Sequence, residues 1–266
     1  MKAQPSMSLP ARLAPLRRAF AWCLLVLLAP CASAAGAEAA PSWLFVHAGT
    51  LLDRPGKAPR SAATVVIRGD RIVAVSAGYV QPGAYEGAPA DARVLDLRDR
   101  FVMPGLIDSH VHLDSDRAGI EGAMAAMTDN IAASAYEAAM NARKTLAAGF
   151  TTVRNLGNAD GVTLALRDAI AAGQMPGPRI LDAGTSISAT AGHMDPTLGF
   201  REELHDALDR HANLCDGADD CRRAVRRQLA RGVDLLKIAT TGGVNSSIGT
   251  GVGHQLFDAG RAETPG

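Results

Sequence analysis

Two histidines stand two residues apart in the run Val102-Met103-Pro104-Gly105-Leu106-Ile107-Asp108-Ser109-His110-Val111-His112. Residues i and i+2 of a strand share a face, so His110 and His112 project together if this apolar run is extended. Two imidazoles so placed at the C-terminal end of a strand can hold one metal ion. A second reactive group lies far along the chain, in Asp234-Leu235-Leu236-Lys237-Ile238-Ala239-Thr240-Thr241-Gly242-Gly243. Lys237 falls inside an apolar run that is expected to be a buried strand. Burial disfavours an ammonium and lowers its pKa. The neutral amine is a nucleophile and can take up CO2 as a carbamate, an anion whose two oxygens suit the bridging of two cations. Each feature also has a plainer reading: paired histidines can be surface residues, and a strand-end lysine can snorkel to water. Their occurrence together, with MPGLID leading into the histidines, favours metal chemistry.

The elements that must position these groups follow two rhythms. From residue 42 to 103 short β-rich runs (44–46, 64–68, 71–75, 93–96) alternate with Gly, Pro and Asp. Arg68-Gly69-Asp70-Arg71 reads as a tight hairpin turn between two of them. After Met103 strands and helices alternate. Strands are expected at 106–112, 151–154, 178–183 and 235–239, and helices at 130–148, 163–172 and 218–231. Gly149, Gly173 and Gly232 follow the helices as stops. In the last helix Asp219 and Asp220 lie near the start and Arg226, Arg227 and Arg231 near the end, which suits the helix dipole. Four strands in regular βα order signal a parallel sheet, and are half of an eight-stranded barrel. The fold class is therefore α/β: about four βα units, the N-terminal part of a TIM-type (β/α)8 barrel, preceded by a small, mostly β unit, which the family resemblance given below implies is a β-sandwich portion.

The text FVMPGLIDSHVHL, then TLAAGFTTVRNLG, ISATAGHMD and CDGADDCRRAVRRQLARGVDLLKIATTGGV resembles the metal-dependent amidohydrolase superfamily over residues 43–244. It is most similar to the branch of imidazolonepropionase-like enzymes and exported Xaa-Pro dipeptidases (prolidases). The resemblance implies that His110 and His112 are metal ligands and that Lys237 is the lysine carboxylated in binuclear members. It also implies two further histidine ligands from the fifth and sixth barrel strands, and an Asp from the eighth that binds metal and acts as general base. None of these three is assignable here, and the general-base Asp is expected beyond the C-terminus. His193, in TAGHMD, resembles a substrate-contacting loop residue of the branch; otherwise it is a solvated loop histidine. Arg154 at the end of TTVR either holds a substrate carboxylate or makes a strand-end salt bridge. Asp108 is expected to orient the histidine strand. His254, in a Gly-rich segment, reads as a loop histidine, and His47, His205 and His211 receive no role.

The implied chemistry is metal-assisted hydrolysis of a carbon–nitrogen bond in an amide or dipeptide, with one or two ions: zinc, or manganese, iron or cobalt. A cyclic amidohydrolase or deaminase of the same superfamily, and a non-catalytic truncated remnant, are the alternatives. The expected partner is a small-molecule or dipeptide substrate, and a homo-oligomer is compatible with the sequence. Lys+Arg and Asp+Glu are equal at 27 each and aromatics are 4%, which argues against a nucleic-acid footprint or a base-stacking platform.

The N-terminus has Arg12, Arg17 and Arg18, an apolar run at 19–29 and the small-residue site Ala32-Ser33-Ala34. This order is that of a secretory signal over 1–34, and predicts a mature periplasmic or secreted chain with no membrane segment after cleavage. The expected division is 1–34 signal, 35–103 β-sandwich part, 104–244 first half of the barrel and 245–266 irregular tail. The ending DAGRAETPG departs from the family pattern, as a frameshifted or truncated reading frame would. Cys23 and Cys31 fall in the signal. Cys215 and Cys221 are either a local disulfide or two unrelated thiols.

Overall fold

The computed structural model describes residues 41–117, 119–158, 160–208 and 213–242. The signal segment, the tail at 245–266, His211 and His254 lie outside the described residues. The chain divides after Val102 into two compact units.

The first unit is one four-stranded sheet in the order β3-β2-β1-β4, with β1 at Trp43–Leu51, β2 at Arg60–Arg68, β3 at Arg71–Ala77 and β4 at Arg93–Val102. Arg68 pairs with Arg71 across a two-residue Gly-Asp turn, and β1 runs parallel to β4. Alternation divides the apolar residues between two faces. Val46, Ala48, Leu51, Ala63 and Val65 form one buried cluster. On the other face Phe45, His47, Thr64 and Val66 are buried beneath the segment after β3. Tyr85 packs edge-on against Phe45 at 6.0 Å, and His47 Nε2 donates to the Val80 carbonyl at 2.9 Å. The expected sandwich portion is thus a single sheet among the described residues, its second face covered by a loop.

The second unit has three parallel strands in the order β5-β6-β7: Leu106–Val111, Phe150–Asn155 and Arg179–Asp182. Helices α1 (Gly119–Thr128) and α2 (Ile131–Ala147) join β5 to β6, and α3 (Val162–Ala171) joins β6 to β7. Asn130 caps α2 by accepting from the Ala133 N–H at 3.0 Å. Val153 and Ile180 pack with Ala138, Ala142, Val162 and Leu166 in the core between sheet and helices. Arg154 and Leu181, paired in register, alternate to the opposite face, where both are exposed.

Beyond β7 come a two-residue strand β8 (Ile187–Ser188), a short helix α4 (His205–Leu208), helix α5 (Ala218–Ala230) and β9 (Ile238–Ala239). The expected fourth strand at 235–239 is shorter, and Lys237 precedes it. Lys237 is half-buried, which corrects the expectation of a buried strand lysine. The cause is that β9 pairs with β8 and not along the whole of β7. The lead-in to β9 still follows β7: the Asp234 N–H donates to the Asp182 carbonyl at 2.8 Å and the Ile187 N–H to the Lys237 carbonyl at 2.9 Å. Cys215 and Cys221 form a disulfide, which decides the alternative the sequence leaves open. Cys215 is buried with Ile187 and Ala224, so the bridge ties the start of α5 to β8.

Candidate active site

Backbone approach decides where the two histidines lie. A Cβ on Gly105 would meet Thr151 Oγ1 at 2.1 Å, so only glycine lets the start of β5 come this close to β6. At the other end of β5, Asp108 Oδ1 accepts from the His110 N–H at 3.0 Å. His110 and His112 then stand with ring centroids 5.4 Å apart and planes tilted by 56°. His112 Nδ1 lies 3.2 Å from the Gly157 carbonyl oxygen. A carbonyl only accepts, so Nδ1 carries the proton and Nε2 keeps its lone pair, the form that ligates metals. Gly157 has φ +137°, and a Cβ there would meet Ser186 Oγ at 2.7 Å and His112 Cε1 at 3.4 Å.

Lys237 and Arg154 both lie close enough to act electrostatically on His110. The His110 imidazole titrates below its ordinary value: burial is the main cause, followed by the charges of Lys237, His112 and Arg154. Three of the sequence candidates, His112, Arg154 and Lys237, therefore lie within electrostatic reach of a fourth, His110, at the C-terminal ends of β5 and β6 and the lead-in to β9. Arg154 is exposed, and its Nε donates to the Ser109 carbonyl at 2.7 Å. That bond holds the guanidinium against β5, and among the described residues Arg154 makes no salt bridge.

His193 is half-buried on the loop between β8 and α4. Asp195 organises that loop by accepting from the Ala191 and Thr197 N–H groups, both at 2.8 Å. Thr190 is tied to Asp216, with 2.6 Å between Oγ1 and Oδ2.

Sequence reasoning missed a cavity of about 270 Å³ beside His112, lined also by Asp114, Asn158, Ser186 and Asn213. Asp114 follows the histidine pair directly in HVHLD, the one signal that could have found it. Burial pushes the Asp114 carboxyl above its usual range, while the Asn158 amide, 3.1 Å away, acts in the opposite sense.

Two imidazoles two residues apart at one strand end, one with its Nδ1 tied to a carbonyl, are a donor set that fits part of a metal site. Among the described residues no group of three His, Cys, Asp or Glu side chains could hold a metal ion, and the charge of Lys237 reaches His110.

Several known proteins share this arrangement of chain. The chain is 29% identical over 223 residues to the ochratoxinase of Aspergillus niger, covering 76% of this chain and 43% of that protein. It is 29% identical over 182 residues to a dihydroorotase of Anaeromyxobacter dehalogenans, covering 68% and 36% respectively. Among solved structures, a Xaa-Pro dipeptidase with bound methionine in its active site superposes with a TM-score of 0.66 at 35% identity, over 77% of this chain and 48% of that one. The chain spans less than half the length of these relatives. Residues 101–253, which carry both histidines, Lys237 and the cavity, match the model of the amidohydrolase family, and the chain belongs to that family.

Proposed function

We propose that the whole protein hydrolyses a carbon–nitrogen bond of a dipeptide of the Xaa-Pro type, with His110, His112 and Lys237 holding the metal. The observation that carries this reading is the pairing of His110 and His112 at one end of the parallel strands, with Lys237 within electrostatic reach of His110, in a chain of the amidohydrolase family. On the same reading β5 to β9 are the first βα units of a (β/α)8 barrel, whose active sites lie at that end.

A divalent ion here would polarise the substrate carbonyl and make water nucleophilic at neutral pH. The protein's own groups prepare the rest. The Gly157 carbonyl fixes the tautomer of His112, and Asp108 fixes the backbone of His110. Lys237, as a carbamate, would contribute an anionic oxygen pair. Arg154, held by Ser109, keeps N–H groups for the carboxylate of the substrate's proline. His193 contacts the substrate from the β8–α4 loop. Water adds to the carbonyl carbon, the C–N bond breaks, and the leaving nitrogen takes a proton. The Xaa-Pro choice rests on the relative with methionine, a free amino acid, in its active site. Similarity to a dihydroorotase favours a cyclic amide as the second reading. The signal-like N-terminus together with the Cys215–Cys221 disulfide supports export to an oxidising compartment.

The test is elemental analysis of zinc-loaded protein, wild type against His110→Ala and Lys237→Ala, with proline release from Ala-Pro and ring opening of dihydroorotate followed in parallel. We expect bound zinc to fall in both variants and proline release to be the activity found. Unchanged zinc in His110→Ala would remove the ligand assignment, and ring opening alone would select the second reading.

A further inference from the structure

Among the described residues, the side chains that line the cavity beside His112 offer mainly acceptors. Their donors have partners within the fold. Asn213 Nδ2 donates to the Ser186 and Met194 carbonyls at 2.8 and 3.2 Å. The Thr185 hydroxyl donates to the Asn158 carbonyl at 3.1 Å, and the Ser186 hydroxyl to the Leu156 carbonyl at 3.3 Å. Asn158 Nδ2 donates to Asp114 Oδ2, and His112 Nδ1 to the Gly157 carbonyl. What the lining still offers is acceptors. Asn158 is 6% exposed, yet its Oδ1 has no hydrogen-bond partner among the described residues. The amide cannot be turned over to cure this, because the Asp114 carboxylate accepts and so fixes the NH2 end. Among the described residues Asp114 carries the only formal negative charge of the lining, and none of the lining residues is a lysine or arginine. Asp114 and Asn158 also line a second cavity of about 580 Å³, so the pair stands in the wall between the two.

A buried acceptor without a donor is costly, and a carboxylate beside it favours a cationic donor. We propose that this cavity is the subsite for the substrate's free amino terminus, with the ammonium donating to Asp114 and to Asn158 Oδ1. The inference rests on the dipeptidase reading and sharpens it: the preferred substrate is an unblocked dipeptide, and an N-acylated one leaves the acceptors unmatched. Arg154, held at Ser109 and absent from the cavity lining, would hold the other end of the same molecule. Asp114 and Asn158 are positioning residues here, touching the amine and not the bond that breaks.

Calorimetric binding to the metal-free full chain tests this without turnover, with Ala-Pro, N-acetyl-Ala-Pro and lactyl-proline, in which a hydroxyl replaces the amine. We expect Ala-Pro to bind about tenfold tighter than either analogue, and Asp114→Asn to abolish that difference while its circular dichroism matches wild type. Equal binding of the three compounds, no binding of any, or a preference that survives in Asp114→Asn would overturn the proposal. If the variant does not fold, the three-ligand comparison on wild type decides alone. Zinc-loaded protein separates this outcome from the parent reading. Equal hydrolysis of Ala-Pro and N-acetyl-Ala-Pro leaves the dipeptidase standing and removes the amine subsite. No hydrolysis, with amine preference retained, does the reverse.

Discussion

Asn155 Nδ2 lies 3.3 Å from Asp182 Oδ2, and both side chains are fully buried. The contact links β6 to β7 directly beneath the candidate site. The same amide donates to Thr163 Oγ1 at 3.1 Å at the start of α3, while its oxygen accepts from the Leu113 N–H at 2.9 Å, just after His112. One side chain therefore ties three strand ends and a helix. Replacing it by alanine leaves the Leu113 N–H and the Asp182 carboxylate short of partners in the interior, at about 1–3 kcal/mol for each group. We expect Asn155→Ala to lower unfolding free energy by about 3 kcal/mol in urea melts. A loss under 1 kcal/mol would mean that water takes the place of the amide.

Gly157 connects backbone geometry to ligand geometry. Its φ of +137° is one that side chains rarely adopt, and its missing Cβ makes room for Ser186 and the His112 ring. Gly157→Ala should push the carbonyl away from His112 Nδ1 and release the ring. We expect zinc affinity to drop by about 10–100-fold, the range seen when the outer partner of a ligating histidine is lost. Competition with a chromogenic chelator would measure it, and unchanged affinity would show that this carbonyl does not set the ring.

The legible parts of the molecule were those set by local chemistry. Asn130 and Gly149 bracket α2, and the charges of α5 follow its dipole, so both helices could be read from the chain. Helix α1 could not, because it opens on a glycine and carries Gly122, both poor helix formers. Strand β8 is two residues in a polar run, and exists only because β9 and the Cys215 segment pair with it. The histidine pair was visible because its partners are two residues apart. The acceptor cavity was not: Asp114, Asn158 and Asn213 come from three distant loops, and nothing local records that their donors face inward.

Asp234 joins the start of the Lys237 segment to β7, and should make that junction sensitive to acid. Its carboxyl lies below the usual range. Burial works to raise it, but hydrogen bonds from the Asp182 N–H and Arg167, and the Arg167 charge, outweigh burial. A pKa depressed in the folded state stabilises at pH values above the unfolded pKa, and that stability is lost as pH falls through the folded value. Asp234→Asn should therefore melt below wild type at neutral pH, with the gap closing as pH falls from the ordinary carboxylate value through the lower folded one, below which both carry a neutral side chain. The gap should be modest, because the side chain is 35% exposed and water screens the pair. A gap that stays constant down to pH ~2 would assign the effect to lost hydrogen-bond geometry, not to charge.

The Cys215–Cys221 bridge closes a short loop, separated by 6 in sequence, and so restricts the unfolded chain less than a long-range bridge would. The chain-entropy relation gives about 2 kcal/mol for so short a loop. Its position adds a local effect. The Cys215 N–H donates to the Ser188 carbonyl at 2.8 Å, and the next residue, Asp216, anchors Thr190 on the loop that carries His193. Reduction should lower the melting temperature by several degrees and loosen the loop at 189–197 before the rest of the unit. Hydrogen exchange with and without a phosphine reductant would resolve this. We expect faster exchange at the Ala191 and Thr197 amides, with α2 and α3 unchanged. Uniform acceleration across the unit would show that the bridge supports global stability alone and does not hold the loop.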